Sequence, residues 1–112
     1  AHADRLFQVH IADPAKLCLV LDCGGRARGV LMAHVGEHWF GAGRIASETV
    51  WFIDPEFRGP SAIKMMVEYE AWAASMGCAF VAMAMKGNDP KPAILYQRRG
   101  YAVTETHFWK PV

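Results

Sequence analysis

The chain has 112 residues, 53% of them hydrophobic, with 12 Lys and Arg against 11 Asp and Glu. That is material for one packed core, expected as a single domain over residues 1–112. A net charge of +1 and a charged fraction of 21% exclude a disordered tail and give no basic excess for gripping nucleic acid. No run approaches the roughly 18 apolar residues that span a bilayer, and residues 1–5 lack a signal-peptide apolar segment. A soluble, cytoplasmic protein is expected, with no membrane or nucleic-acid partner. Cys18, Cys23 and Cys78 are odd in number and lack zinc-ligand spacing, so they read as reduced thiols, at least two of them in strands.

Residues 4–12 read as a helix remnant. Residues 17–22 form an apolar, branched run, and Cys23, Gly24 and Gly25 separate it from a second apolar stretch over 29–40. This predicts a hairpin. Residues 45–53 give a third strand, closed by Asp54 and Pro55. From 61 to 76 the period changes. Ala62, Met65, Met66, Tyr69, Trp72, Ala73 and Met76 recur at three- and four-residue steps, predicting an amphipathic helix stopped by Gly77. Residues 78–85 are continuously apolar, as in a strand buried on both faces, which implies helices on both sides of the sheet. A turn-rich loop over 87–92 follows, then a short helix between Pro92 and Gly100 and a loosely alternating closing strand over 101–109.

The junction Asp54-Pro55-Glu56-Phe57-Arg58-Gly59-Pro60-Ser61-Ala62 joins a strand to a helix. A helix start has unpartnered N–H groups and the positive end of the helix dipole, so it suits a phosphate or pyrophosphate. Arg58 would add a fixed charge. An ordinary capped turn would have the same composition.

The segment from Asn88 to Tyr101, with Ala93, Leu95-Tyr96 and Gly100-Tyr101, resembles the closing motif of the GNAT-type, acetyl-CoA-dependent N-acetyltransferases. The resemblance covers residues 17–110. It implies an α/β fold with a mixed, mostly antiparallel sheet splayed between two central parallel strands, here 45–53 and 78–85, and helices on both faces. Acetyl-CoA would lie in that opening. Phe52, Ile53 and Asp54 would offer a strand amide to the thioester, and Arg58, Gly59, Pro60, Ser61, Ala62 and Ile63 would hold the pyrophosphate. Asn88 would contact cofactor or substrate, and Tyr96 would protonate the leaving CoA thiolate. A phenol with an ordinary pKa of about 10 holds its proton at neutral pH, as that role requires. The implied reaction is direct attack of an amine on acetyl-CoA in a ternary complex, without metal.

An amine must lose a proton before it attacks. Glu48, expected on the strand face of Val50 and Phe52, is the candidate base, with His34, His38 and deprotonation in bulk solvent as competitors. The loop departs from the family pattern: counted from Arg58, its two small positions hold Ser61 and Ile63, and Pro60 removes a donor. These departures motivate a second reading, a GNAT-fold binding module with little or no catalysis. A third is a longer acyl-CoA, accommodated beside Ala82 and Ala84. His34-Val35-Gly36-Glu37-His38 spells a zinc-peptidase pattern, but as a strand it would hold the two imidazoles about 13 Å apart. Phe108 and Trp109 on the closing strand suggest a homodimer edge.

Overall fold

Gly24 and Gly25 set the architecture at its first turn. Both hold positive φ, 63° and 80°, the conformation of a tight hairpin loop whose twist matches its strands. They join β1 (Lys16–Cys23) to β2 (Arg26–Glu37), with Cys23 opposite Arg26. The computed structural model describes residues 2–38, 41, 43–85, 90–104 and 106–112. Internal contacts divide the chain into two compact units, Ala1–Ala82 and Met83–Val112.

The first unit contains α1 (His2–Ala12), the β1–β2 hairpin, β3 (Arg44–Ile53), α2 (Pro60–Ser75) and β4 (Cys78–Ala82). The sheet order is β1-β2-β3-β4. The first two ladders are antiparallel and the third, β3 with β4, is parallel. This is the expected mixed, mostly antiparallel sheet with one parallel pair.

Residues paired across a ladder share a face, so the register sorts the side chains. Leu19, Leu31, Ala33, Ala46 and Val81 lie on one face and Cys18, Met32, His34, Ser47 and Ala82 on the other. Helix α2 packs across the first face, touching all four strands. Leu31, Ala33 and Ala46 are fully buried there, with Met65, Met66, Tyr69 and Ala73 of the helix above them. Helix α1 lies against the opposite face, where His10 reaches Thr49 of β3. Helices thus cover both faces.

Gly29 explains how closely β2 and β3 approach. A Cβ at this position would stand 3.0 Å from the Phe52 carbonyl oxygen and 3.1 Å from the Ile53 side chain. Only a residue without one fits this contact unshifted.

The second unit contains α3 (Lys91–Arg98). Tyr101 N–H donates to the Tyr96 carbonyl at 2.9 Å, and the two tyrosine rings pack with centroids 5.9 Å apart.

Two strand expectations are corrected. Residues 78–85 do not form one strand buried on both faces: β4 ends at Ala82, and Ala79 and Phe80 are exposed. Among the described residues β4 pairs only with β3, so it lies at the sheet's edge and needs no second partner. Nor is there a closing strand among the described residues of 101–109. Tyr101, Val103 and Trp109 keep one parity, but Phe108 breaks it and Thr104 to His107 interrupts with polar side chains, so no face is consistently apolar. Phe108 and Trp109, read as a dimer edge, lie 94% and 83% exposed on irregular chain. No helix of the described residues is long and apolar enough to cross a membrane. All three cysteines lie in strands as free thiols, and burial raises the Cys18 thiol above its usual value.

Candidate functional site

The parallel ladder stops before its longer strand does. β3 pairs with β4 from Arg44↔Cys78 to Ser47↔Ala82, yet β3 continues to Ile53. Residues 48–53, roughly 20 Å of extended chain, therefore run on past the end of β4 while remaining paired to β2 on their other edge. Tyr69 fixes the point where the ladder ends. Its hydroxyl, on a fully buried side chain of α2, donates to the Ala82 carbonyl at 2.7 Å. That acceptor belongs to the last ladder residue of β4 and is held by a helix.

The open edge of β3 presents a particular amide. Asp54 N–H donates across to the Arg28 carbonyl of β2 at 2.7 Å. Arg58 Nε donates to the Ile53 carbonyl at 2.7 Å from the other side. A strand residue sends its N–H and C=O to one edge, and neighbours alternate. Ile53 N–H therefore points away from β2, toward the edge where the ladder to β4 has ended. Of the expected Phe52, Ile53 and Asp54, only Ile53 aims its amide there.

Beyond β3 a 3₁₀ turn, Pro55–Phe57, leads to α2. Gly59 caps the helix at φ 127° and ψ −127°, a conformation that excludes ordinary side chains. The helix start has no side-chain cap; Pro60 contributes no N–H, and Ala62 N–H turns back to the Gly59 carbonyl at 3.0 Å. Ser61 and Ile63 complete this first turn. Arg58, exposed, lies over the Phe52 ring at 5.6 Å. A bulge leaves Arg28 as the extra residue of β2, and its guanidinium stands over Phe57 at 4.8 Å and 3.5 Å from Asp54. Two arginines thus brace the junction against the end of β3.

Glu48 is placed differently from expectation. The β2–β3 register passes from Met32↔Val50 to Ala33↔Glu48, which leaves Thr49 as the extra residue of a bulge. Glu48 lies opposite Ala33 on the α2 face, whereas Val50 and Phe52 lie opposite Met32 and Val30 on the α1 face. One inserted residue reverses the alternation. The bulge also turns Thr49 to the α1 face, where its Oγ1 stands 3.2 Å from His10 Nε2 and 3.2 Å from His34 Nδ1. Partial burial of its ring, with the charges of Lys16 and His10, holds the His34 imidazole below the ordinary histidine value.

In the second unit, Tyr96 on α3 donates its hydroxyl proton to the Ala84 carbonyl at 2.9 Å. The expected donor is present and directed at main chain. Asn88 lies outside the described residues. The zinc-peptidase pattern lies along β2 to Glu37, with the His38 ring tilted against Phe80, centroids 5.4 Å apart. No cluster of three or more metal-ligating side chains occurs among the described residues.

Sequence reasoning missed Tyr69, Thr49 and His10. Tyr69 could have been found, because a hydroxyl on an otherwise apolar helix stripe must reach an acceptor. Thr49 carried no signal, since nothing in the sequence marks the bulge.

No family model matches the sequence, and no curated protein does. Solved structures match in fold. A transcriptional regulator from Bacillus halodurans C-125 superposes with a TM-score of 0.84 at 15% identity, over 97% of this chain and 74% of its own. The aminoglycoside N-acetyltransferase AAC(6')-Iy, in complex with CoA, gives 0.81 at 16% identity, over 98% and 87%. Glucosamine-6-phosphate N-acetyltransferase from Arabidopsis thaliana gives 0.76 at 18% identity, over 96% and 75%. The chain has the fold that the regulator and the two acetyltransferases share.

Proposed function

We propose that the chain is a single-domain N-acetyltransferase that moves the acetyl group of acetyl-CoA to a primary amine by direct attack in a ternary complex. The observation that carries this reading is the fork: β3 runs on past its parallel partner and delivers its end to an arginine-braced helix start. An extended thioester arm would lie along residues 48–53, with its phosphates at Arg58, Gly59, Ser61, Ala62 and Ile63. The helix dipole and the Arg58 charge supply the attraction, and Pro60 shifts more of it onto the side chain. The open-edge amide of Ile53 would then bind the arm near its phosphates, and the thioester, at the arm's other end, would lie beside residues 47–49, where β3 and β4 part. By the resemblance Tyr96 is the candidate acid for the departing sulfur; within the second unit its hydroxyl donates to the Ala84 carbonyl. A fold neighbour is in complex with CoA, which supports acetyl-CoA as the cosubstrate, and reduced thiols fit a cytoplasmic location.

One observation favours a binding module instead: Arg58 Nε and the Tyr96 hydroxyl both engage main-chain carbonyls. Calorimetric titration with acetyl-CoA, with ATP as control, tests the first reading. Micromolar, acetyl-CoA-selective binding is expected, and its absence would sink the assignment. In Tyr96→Phe, amine acetylation should slow about 10- to 100-fold with acetyl-CoA affinity nearly unchanged. A wild-type protein that binds acetyl-CoA but acetylates none of a panel of amines would favour the binding module.

A further inference from the structure

Two imidazoles share one hydroxyl on the α1 face of the sheet. His34 is in register with Ser47, which is itself in register with Ala82. This row across three strands is the last before β3 and β4 part, so His34 stands at the fork. Thr49, turned to the same face by the bulge, lies just beyond it. His10, from α1, is 3% exposed and approaches Thr49 from the other side. A hydroxyl has one proton and two lone pairs, so between two rings it can donate to one and accept from the other. When Thr49 donates to His10 Nε2, it accepts from His34 Nδ1–H. That tautomer leaves the lone pair of His34 on Nε2.

We infer that His34 Nε2 accepts the proton of the attacking amine, and that Thr49 and His10 position it by fixing its tautomer and ring plane. The inference rests on the acetyltransferase reading above. Helix α2 covers the face carrying Glu48, and its N-terminus is where the phosphates would bind. His34, although on the face that α1 packs against, is itself exposed, so an amine at the fork can reach it from that side.

The balance closes. The ammonium gives one proton to His34 Nε2, and the freed nitrogen lone pair forms the C–N bond at the thioester carbonyl. The C–S bond then breaks with its electron pair going to sulfur, which leaves as the CoA thiolate. The N-protonated amide gives its extra proton to that thiolate through water, and the exposed His34 releases its proton to water. Among the described residues, the charged and titratable groups acting on His34 are Lys16, its register partner on β1, and His10 on α1; Glu48 is on the opposite face. Burial and these two neighbours favour the neutral imidazole, the form that can accept a proton.

The first measurement is long-range ¹H–¹⁵N correlation of the histidine rings in the full chain. His34 should carry its proton on Nδ1 in the wild type and lose that preference in Thr49→Val. A dominant Nε2–H tautomer in the wild type would overturn the inference. The second uses acetyl-CoA with glucosamine, kanamycin and a lysine-containing peptide as amines. His34→Gln should lower kcat/KM about 100-fold or more and abolish the acidic limb of its pH profile, with acetyl-CoA affinity retained. Thr49→Val should lower it less and shift that limb, as expected of a positioning residue. If His34→Gln keeps the wild-type profile, or if Glu48→Gln removes the limb instead, His34 is not the acceptor. Loss of acetyl-CoA binding in the wild type itself would remove the transferase reading and this inference with it; transfer with an unchanged His34→Gln removes this inference alone.

Discussion

The two edges of β3 are built for different ends. Toward β2 the ladder is closed along the strand's length, from Glu37↔Arg44 to Gly29↔Ile53, interrupted by one bulge and tightened at Gly29. Toward β4 it holds only to Ser47↔Ala82 and is then released. The closed edge buries Leu31, Ala33 and Ile53 and supplies stability. The released edge leaves residues 48–53 without β4 as a ladder partner, which is where a ligand could add to the strand. Substitutions on the two edges should therefore separate into effects on folding and effects on binding, and that separation can be broken by experiment.

The largest effect belongs to the closed side. Leu31 is fully buried under α2 and paired with both Leu19 and Trp51. Leu31→Ala removes its transfer free energy and leaves a cavity, about 2–5 kcal/mol in comparable cores. The urea midpoint should fall sharply with little change in slope. Acetyl-CoA affinity, measured where the variant is still folded, should stay near that of the wild type. A variant as stable as the wild type would show that the sheet, not its α2 face, carries the core.

At the released edge the key contact is Tyr69 to Ala82. Tyr69→Phe deletes one buried hydrogen bond, about 1 kcal/mol of stability. It also frees the Ala82 carbonyl to seek an N–H on β3, which would extend the parallel ladder and narrow the fork. Acetyl-CoA affinity should therefore fall by more than the stability loss explains. Amide exchange should meanwhile slow at residues 48–50. Unchanged affinity with unchanged exchange would mean that the fork holds without this tyrosine.

The elements were legible in the sequence because their signals are local. The Gly24-Gly25 turn, the three- and four-residue spacing from Ala62 to Met76, and Pro92 before Gly100 each specify a boundary without reference to distant chain. The parallel pair followed from a resemblance carried by a few residues near Tyr96, and the candidate phosphate junction from the helix start that follows Arg58. What escaped depends on register. The bulge at Thr49 reverses the faces of Glu48 and Val50, and alternation counted along the chain cannot detect one inserted residue. The length of β4 escaped for a related reason. An apolar run predicts burial, whereas Ala82 ends the strand because a tyrosine on another element claims its carbonyl. The closing strand failed on its own pattern, since Phe108 breaks the parity of Tyr101, Val103 and Trp109.

The smallest expected effect is a pH dependence of stability from His34, on the face of β2 nearest the fork. In the unfolded chain its imidazole titrates near the ordinary value of about 6.5; in the folded chain partial burial, then Lys16 and His10, hold it lower. Above the ordinary value both states are neutral and the contribution is fully present. As pH falls below it, the unfolded chain takes up the proton first, so the unfolded state binds more protons and stability decreases. The loss continues until pH passes the lower folded value, where both states are charged. His34→Gln should therefore flatten part of the acid slope of the urea midpoint between about pH 6.5 and the folded value, and leave the midpoint's pH dependence above that window unaltered. An acid slope identical in wild type and variant would show that the fold does not discriminate between the charged and neutral imidazole, and that the Thr49 bridge holds the two forms equally.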